Sequence, residues 1–255
     1  GSIAVGKSHV CEVFRELEGR RTLRSEVAGR GYFVKIHRGV GWAEIVKNLL
    51  SLRLPVLGAE NEWRAIERLR ELGVDTMRAV AFGIRGGNPG RQRSFIVTEE
   101  LAPTVSLEDY CQDWPKHPPA VRLKRALIRG VARAARQMHA GGVNHRDFYI
   151  CHFLLHLDPP PTAEQLRLSL IDLHRAQLRV RLPRRWRDKD LAALHFSALA
   201  IGLTRRDLLR FLGAYFACPL RTIIRQEAPL LAYLARETQR LQARFERKVA
   251  AGEMT

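Results

Sequence analysis

Residues 143–155 read VNHRDFYICHFLL, and the expected fold follows from this segment. Its His-Arg-Asp triplet, residues 145–147, stands between two different kinds of sequence. Before it, residues 120–140 carry the periodic apolar pattern of a long basic helix that two glycines end. After it, residues 153–157 form an apolar run typical of a strand. The pattern predicts a loop that presents Asp147 between a helix and a strand.

This loop resembles the catalytic loop of protein kinases, whose Asp accepts the proton of the acceptor hydroxyl. The triplet alone is a weak signal, but the helix end MHAGGV at residues 138–143 leads into it as in kinases. Downstream, residues 166–173 form a strand candidate that carries Asp172 at its end. Kinases place their metal-binding Asp at the corresponding position, so the resemblance implies that role for Asp172.

Two charges fall on apolar faces in the N-terminal part of the chain. Lys35 lies inside the apolar strand candidate YFVKI, where a charge needs a partner. Glu62 lies on the apolar stripe of a helix predicted from about residue 59 to 72. We expect an ion pair between them, like the kinase pair that orients the phosphates of ATP.

The elements together predict an α+β, two-lobed, protein-kinase-like fold. A β-rich N-terminal lobe spans residues 1–102, and a helical C-terminal lobe spans residues 103–255, where Thr204 and Asp207 predict a capping box. An insertion at residues 39–58 is expected to hold a short helix. The strand candidates of the first lobe are residues 12–17, 22–27, 32–36, 79–82 and 94–98.

Longer segments resemble the lipopolysaccharide core heptose(I) kinase family. The matching segments are RELEGRRT (15–22), GYFVKIH (31–37), HRD (145–147) with HFLLH (152–156), IDLHRA (171–176) and LAALHFSA (191–198). They occur in order over about residues 12–220. The resemblance implies an ATP-dependent kinase of Gram-negative cell-envelope synthesis, which phosphorylates O4 of the first heptose of the lipopolysaccharide inner core.

The resemblance also implies the site residues, by position. Asp147 would be the base, with His145 and Arg146 beside it, and Asp190 would brace the loop from beneath. Asp172 and His152 would hold Mg²⁺. The residues expected to contact ATP are Lys35, Glu62, Gly19, Arg20, Glu99 and Leu101.

Three departures from protein kinases qualify this set. A Gly-x-Gly-x-x-Gly loop is missing from the sequence, so Arg20 or Arg21 is expected to supply charge near the phosphates. His152 replaces an Asn, and since Mg²⁺ prefers oxygen ligands, direct ligation stays open. Leu173-His174 replaces Phe-Gly with no long activation segment after it, which argues against a phosphorylation-driven switch.

The chain is strongly basic, with a formal net charge of +17. Such a field attracts nucleic acid, an anionic membrane surface or an acidic protein. Six arginines lie within residues 175–187: Arg175, Arg179, Arg181, Arg184, Arg185 and Arg187. A guanidinium group binds carboxylates and phosphates through paired hydrogen bonds, which suits acidic sugars and lipid A phosphates, although a solvated basic loop is the alternative. We take Arg175, Arg179, Arg184 and Arg185 as the candidates for acceptor contact.

The expected location is cytoplasmic and peripheral to the inner membrane. No apolar run reaches the roughly 20 residues that span a bilayer, and electrostatic attachment needs no spanning segment. The four cysteines are widely spaced and are expected to be reduced thiols. The resemblance also implies acyl carrier protein as an acidic partner.

Three alternatives remain open from the sequence. The first is a kinase whose acceptor is another small molecule or a protein side chain. The second is an inactive pseudokinase scaffold, and the third is a nucleic-acid-binding module. The last has only the charge in its favour, because recognition-helix, RNA-stacking and zinc signatures are missing from the sequence.

Overall fold

The computed structural model describes residues 11–17, 20–38, 58–88 and 92–252, with backbone alone for 11–17 and for Arg20. The chain divides into two compact units. The first consists of the described residues up to Arg70, with Thr76–Ala102 and Asp172–Ala176. The second consists of Glu71–Asp75, Pro103–Ile171 and the described residues from Gln177 onward.

The first unit is built on one antiparallel sheet. Its strands are β1 (Cys11–Leu17), β2 (Arg20–Val27), β3 (Arg30–His37), β4 (Ala79–Arg85) and β5 (Arg93–Glu99). Their order is β1-β2-β3-β5-β4, so β3 lies at the centre, with Lys35 opposite Thr22 on one side and Ile96 on the other. Ala28 and Gly29 join β2 to β3 with φ angles of 51° and 72°, as a two-residue hairpin turn requires.

Among the described residues, helix α1 (Ala59–Glu71) packs against this sheet. The Ser94 hydroxyl on β5 accepts the Ala59 N–H at 2.9 Å, and the Trp63 ring lies 5.6 Å from that of Phe82 on β4. The buried face of α1 includes Glu62, Ile66 and Leu69, at the spacing of one helical stripe. The predicted helix at residues 59–72 is therefore confirmed, and it carries a carboxylate on its buried side.

The second unit is mainly helical. Its helices are α2 (Leu107–Cys111), α3 (Val121–Ala140), α4 (Arg184–Ser197), α5 (Arg205–Phe216), α6 (Leu220–Gln226) and α7 (Ala228–Ala250). Its strands are β6 (Thr104–Ser106), β7 (Val143–Asn144), β8 (Phe153–His156), β9 (Leu168–Leu170) and β10 (Gln177–Leu178). They form a sheet of order β6-β8-β9 and a β7-β10 pair. Three 3₁₀ turns complete the described chain, at Ile150–His152, Leu173–Arg175 and Leu199–Ile201.

Several helices of the second unit line a partly open apolar cavity of about 250 Å³. Leu127 and Val131 of α3, Leu194 of α4, Phe211 of α5 and Leu234 of α7 are among the residues that line it. Nearly all the lining side chains are apolar, so the cavity suits an apolar occupant better than water.

Most sequence expectations for the fold are confirmed. The α+β class holds, the helix predicted at residues 120–140 is α3, and Thr204 and Asp207 form the expected capping box of α5. The strand predicted over residues 166–173 was wrong in extent, because β9 ends at Leu170 and Asp172 adopts a left-handed backbone with φ of 62°. The helix expected within residues 39–58 and the turn at Gly19 lie outside the described residues.

Two further expectations concern membranes and thiols. Within the described chain, no helix combines the length and the apolar character that a membrane crossing needs. Cys111, Cys151 and Cys218 are free thiols, as expected.

Candidate active site

Lys35 and Glu62 form the expected ion pair. Lys35 Nζ lies 2.5 Å from Glu62 Oε1 and 3.8 Å from Asp172 Oδ1. Glu62 is fully buried and Lys35 is only 9% exposed, so β3 and α1 bring opposite charges together out of water. The first unit thus collects three of the four residues on which the sequence hypothesis depends, from positions far apart in the chain.

Asp172 is fixed within the first unit by its own backbone and by two side chains. Its left-handed conformation is rare for a residue with a Cβ, and such residues cluster at functional sites. The His174 ring contacts the Asp172 carboxylate, with Nδ1 2.7 Å from Oδ1. Asn61, next to Glu62 on α1, donates from Nδ2 to the carbonyl oxygens of His174 and Ala176 at 2.9 and 2.7 Å. Segment 172–176 is therefore tied to the helix that carries Glu62.

The predicted catalytic loop lies in the second unit and is held by Asp190 of α4. The buried Asp190 carboxylate accepts the N–H of His145 at 2.7 Å and that of Arg146 at 3.0 Å. His139 lies beneath, with Nε2 3.3 Å from Asp190 and Nδ1 2.7 Å from the Tyr215 hydroxyl. Arg146 has a φ of 73°, and these two backbone hydrogen bonds stabilise the loop in that unusual conformation.

Asp147 itself is positioned by the two histidines of the loop region. His152 Nδ1 donates to the Asp147 carbonyl oxygen at 2.7 Å, since a carbonyl can only accept. His145 Nε2 donates to the Ile171 carbonyl at 2.9 Å, and the Ile171 N–H donates to the His152 carbonyl at 2.9 Å. The two rings stack with centroids 5.5 Å apart. Asp147, which is half-buried, thus lies in the middle of a loop that several hydrogen bonds hold in place.

A basic cluster surrounds Trp186, near the start of α4. Arg179 and Arg185 place their guanidinium carbons 5.4 and 5.0 Å from the indole ring, and Lys189 places Nζ 4.8 Å from it. Arg179 also donates to Asn144 and Gln177, both at 2.5 Å. Burial and then the Arg185 cation lower the pKa of Arg179. No Asp or Glu of the described chain forms an ion pair with these three cations, so the cluster is suited to an anion.

The remaining predicted residues lie in both units. Arg184 is exposed in the second unit, whereas Arg175 is exposed in the first. Glu99, at the end of β5, donates its N–H to the Arg78 carbonyl at 2.9 Å, and Leu101 lies two residues further along the chain. Their roles toward ATP stay predictions, as do those of Gly19 and the Arg20 side chain, which lie outside the described parts.

Arg187 differs from the other arginines of its stretch. Its guanidinium donates to Asp188 at 2.8 Å and to Glu227 at 2.9 Å, and it packs on the Phe216 ring. The side-chain hydrogen bonds to these two carboxylates outweigh the effect of burial and raise its pKa. Arg187 therefore joins helices of the second unit instead of offering charge to a ligand.

Several residues of the site were not found from the sequence. His174 and Asn61 gave no signal, because polar residues beside a motif are common and their contacts join distant segments. His139 does lie six residues before the His-Arg-Asp triplet, a spacing that could have indicated a buried partner for Asp190. Trp186, within a run of arginines, could have indicated a platform for cations.

The metal prediction is compatible with the residues present. In the described chain no three His, Cys, Asp or Glu side chains converge as a complete metal site. Mg²⁺ beside a nucleotide is usually bound through one or two carboxylates together with phosphate oxygens, so an incomplete protein site is what such chemistry needs. Asp172, 23% exposed at its side chain, offers an oxygen ligand of the preferred type.

Comparison with known proteins finds similar sequences and a similar solved structure. The family model described as "Lipopolysaccharide kinase (Kdo/WaaP) family" matches residues 7–215. The chain is 65% identical over 243 residues to "Lipopolysaccharide core heptose(I) kinase WaaP" of Pseudomonas aeruginosa, covering 95% of this chain and 90% of the relative. It is 61% identical to the protein of that name from Escherichia coli, covering 93% and 89%. A solved structure described as "WaaP in complex with acyl carrier protein" matches with a TM-score of 0.79 and 62% identity, covering 90% of this chain and 88% of the other.

Proposed function

Because this chain belongs to the lipopolysaccharide kinase (Kdo/WaaP) family and has its protein-kinase-like fold, we propose that it transfers the γ-phosphate of ATP to O4 of the first heptose of the lipopolysaccharide inner core. The chain is a kinase, and the acceptor, the attacked hydroxyl and the residue roles are our proposal. The observation that carries it is the convergence of Lys35, Glu62 and Asp172. High identity to relatives named as heptose(I) kinases supports the acceptor.

On the donor side, Lys35 and Asp172 have complementary roles. Glu62 fixes the Lys35 ammonium, which then neutralises charge on the phosphates of ATP. Asp172 supplies an oxygen ligand for Mg²⁺, and the ion, when bound, offsets negative charge on the transferred group. His152 has its Nδ1 engaged with the Asp147 carbonyl, so we assign it first to holding the loop.

On the acceptor side, Asp147 acts as the base. Its carboxylate orients the heptose hydroxyl and takes up its proton as the hydroxyl oxygen attacks phosphorus. Asp190, His145 and His152 keep the loop backbone in place, and such positioning is the main contribution a protein makes to phosphoryl transfer. The ADP that leaves carries the negative charge that Lys35 faces.

The cluster at Trp186 is our candidate for acceptor binding. Arg185 and Lys189 are exposed cations, and the indole ring restricts where they lie. Acidic sugars and lipid A phosphates are anions, which guanidinium groups bind through paired hydrogen bonds. A lipid acceptor also places the enzyme at the cytoplasmic face of the inner membrane, as a peripheral protein.

We further propose acyl carrier protein as a partner. The solved relative forms such a complex, and a chain with a net charge of +17 attracts an acidic protein. The apolar cavity of about 250 Å³ suits an acyl chain, because burial of apolar surface is favourable. Tighter binding of acylated than of unacylated carrier protein supports this role of the cavity, and equal binding contradicts it.

An acceptor comparison with labelled ATP tests the function. The enzyme is given inner-core lipopolysaccharide that lacks the heptose phosphate, the same lipid without heptose, and an unrelated protein rich in hydroxyl side chains. We expect label only on the heptose-containing lipid, with the new phosphate on O4. Labelling of the protein instead would favour a protein kinase, and labelling of none would favour an inactive scaffold.

A further inference from the structure

Helix α3 carries a straight row of arginines on its exposed face. Their spacing of three, four, four and three residues keeps them within about 80° of the helix circumference, over about 21 Å of its length. The five side chains are Arg122, Arg125, Arg129, Arg133 and Arg136, and all five residues are exposed. We call this set the α3 arginine row.

The α3 arginine row has no neutralising carboxylate among the residues that the structure describes. None of the five forms an ion pair within the part of the chain that the structure describes, and α3 contains no Asp or Glu. The opposite face of the helix packs inside the second unit, where Leu127 and Val131 line the apolar cavity. Five like charges in one row repel one another, so an anionic partner would relieve that repulsion.

We propose that the α3 arginine row is a docking surface for an anionic phospholipid bilayer. Its charge complements a leaflet rich in anionic lipids, where each Lys or Arg near the surface contributes about 1 kcal/mol, roughly fivefold in partitioning. The proposal rests on the proposed function in one respect, since a lipid acceptor is what brings the enzyme to a bilayer.

The composition of the helix favours a bilayer over a macromolecule. Protein interfaces depend on buried aromatic and apolar anchors, and single-stranded nucleic acid on stacking aromatics. Helix α3 contains no Trp, Tyr or Phe, and its exposed residues besides the arginines are Gln137, Ala140 and, at its first position, Val121. A row of charge without an anchor fits a fluid surface whose headgroups rearrange around it.

Vesicle binding of the full chain tests the proposal. Wild type is compared with Arg125→Gln/Arg129→Gln/Arg133→Gln on vesicles of phosphatidylcholine alone and of equimolar phosphatidylcholine and phosphatidylglycerol. The triple variant should bind the anionic vesicles on the order of a hundredfold more weakly. A matched control, Arg236→Gln/Arg240→Gln/Arg244→Gln on the exposed side of α7, removes the same charge elsewhere and should bind nearly as wild type.

Two further measurements complete the test: one shows whether charge or a disturbed fold causes the loss of vesicle binding, and the other shows whether the substitutions affect catalysis. Arg125→Lys/Arg129→Lys/Arg133→Lys keeps the charge and should keep vesicle binding. Phosphorylation of detergent-dispersed acceptor should be unchanged in the Gln variant, so failure of the docking proposal and failure of the proposed function give different results. Equal vesicle binding by the Gln and control variants would overturn the proposal, as would selective loss of carrier-protein or duplex-DNA binding in place of vesicle binding.

Discussion

The Lys35 ammonium lies 2.5 Å from Glu62 Oε1, on a glutamate that is fully buried. The second carboxylate oxygen, Oε2, is buried without a hydrogen-bond partner among the described residues. A buried carboxylate is costly unless it is paired. Lys35 therefore has a structural role, in which it stabilises the Glu62 carboxylate, besides its proposed role toward the nucleotide. The pair links the stability of the first unit to its proposed use in catalysis.

Removal of Lys35 alone should therefore destabilise the protein. Lys35→Met leaves the buried Glu62 charge uncompensated and should lower the free energy of unfolding by about 3–5 kcal/mol. Lys35→Met/Glu62→Leu removes both charges and should recover most of that loss, while both variants lack kinase activity. Urea unfolding measures the two free energies. Equal destabilisation by the single and double variants would contradict the claim that Lys35 stabilises the fold by compensating the buried charge of Glu62.

Asp190→Asn should loosen the catalytic loop without removing any proposed reacting group. An amide has one acceptor oxygen, so one of the two backbone N–H groups of His145 and Arg146 loses its partner, at about 1–3 kcal/mol. Amide hydrogen exchange at these two residues should quicken, and kcat should fall while the KM for ATP changes little. Unchanged protection at both amides would contradict the bracing role of Asp190.

Part of this site could be predicted from sequence because its signals are local. Lys35 interrupts an apolar strand and Glu62 interrupts an apolar helix face, so each charge had to find a partner, and the structure pairs them. The Asn61 and His174 contacts could not be predicted, since they depend on how segment 172–176 folds back to α1. Asp172 was expected to end a strand, and its left-handed backbone follows from tertiary contacts that outweigh local preference.

Short elements also escaped prediction. β6 and the β7-β10 pair have two or three residues per strand, which is too short for alternation of polarity to be visible. They form because the surrounding core supplies partners for their backbone. The Trp186 cluster was predicted only as a run of arginines, and Arg187 within that run proved to be an internal ion-pair residue.

The acceptor proposal predicts a selective effect of the two exposed cations of the Trp186 cluster. Arg185→Gln/Lys189→Gln should raise the KM for lipopolysaccharide by about tenfold or more, because charge-assisted hydrogen bonds contribute about 1.5–3 kcal/mol each. The KM for ATP should stay unchanged. Arg205→Gln/Arg206→Gln, an exposed pair at the start of α5, serves as the matched control for net charge. Equal effects of the two pairs on acceptor KM would assign the loss to overall charge.

Acid should weaken α5 through its capping box. Burial opposes ionisation of Asp207, but hydrogen bonds from Thr204 and Lys124 outweigh it and lower the pKa of Asp207 to about 2. Because its pKa is lower in the folded than in the unfolded protein, the ionised Asp207 carboxylate stabilises the fold at pH values above the unfolded-state pKa near 4. This contribution is lost as the pH falls toward 2. Asp207→Asn should cost about 2 kcal/mol at neutral pH, and the difference from wild type should shrink below pH 4. Urea unfolding at several pH values checks this, and a difference independent of pH would refute it.

The role of Asp147 as the base is measured by transfer of labelled γ-phosphate from ATP to heptose-containing core lipopolysaccharide, compared between wild type and Asp147→Asn. General base catalysis contributes about 10²–10⁴-fold, so the variant should lose at least about a hundredfold in kcat while it keeps the wild-type affinity for ATP and the wild-type unfolding free energy within about 1 kcal/mol. Transfer by Asp147→Asn within tenfold of wild type would contradict the account, because the loop held by Asp190, His145 and His152 would then present a residue that the reaction does not need.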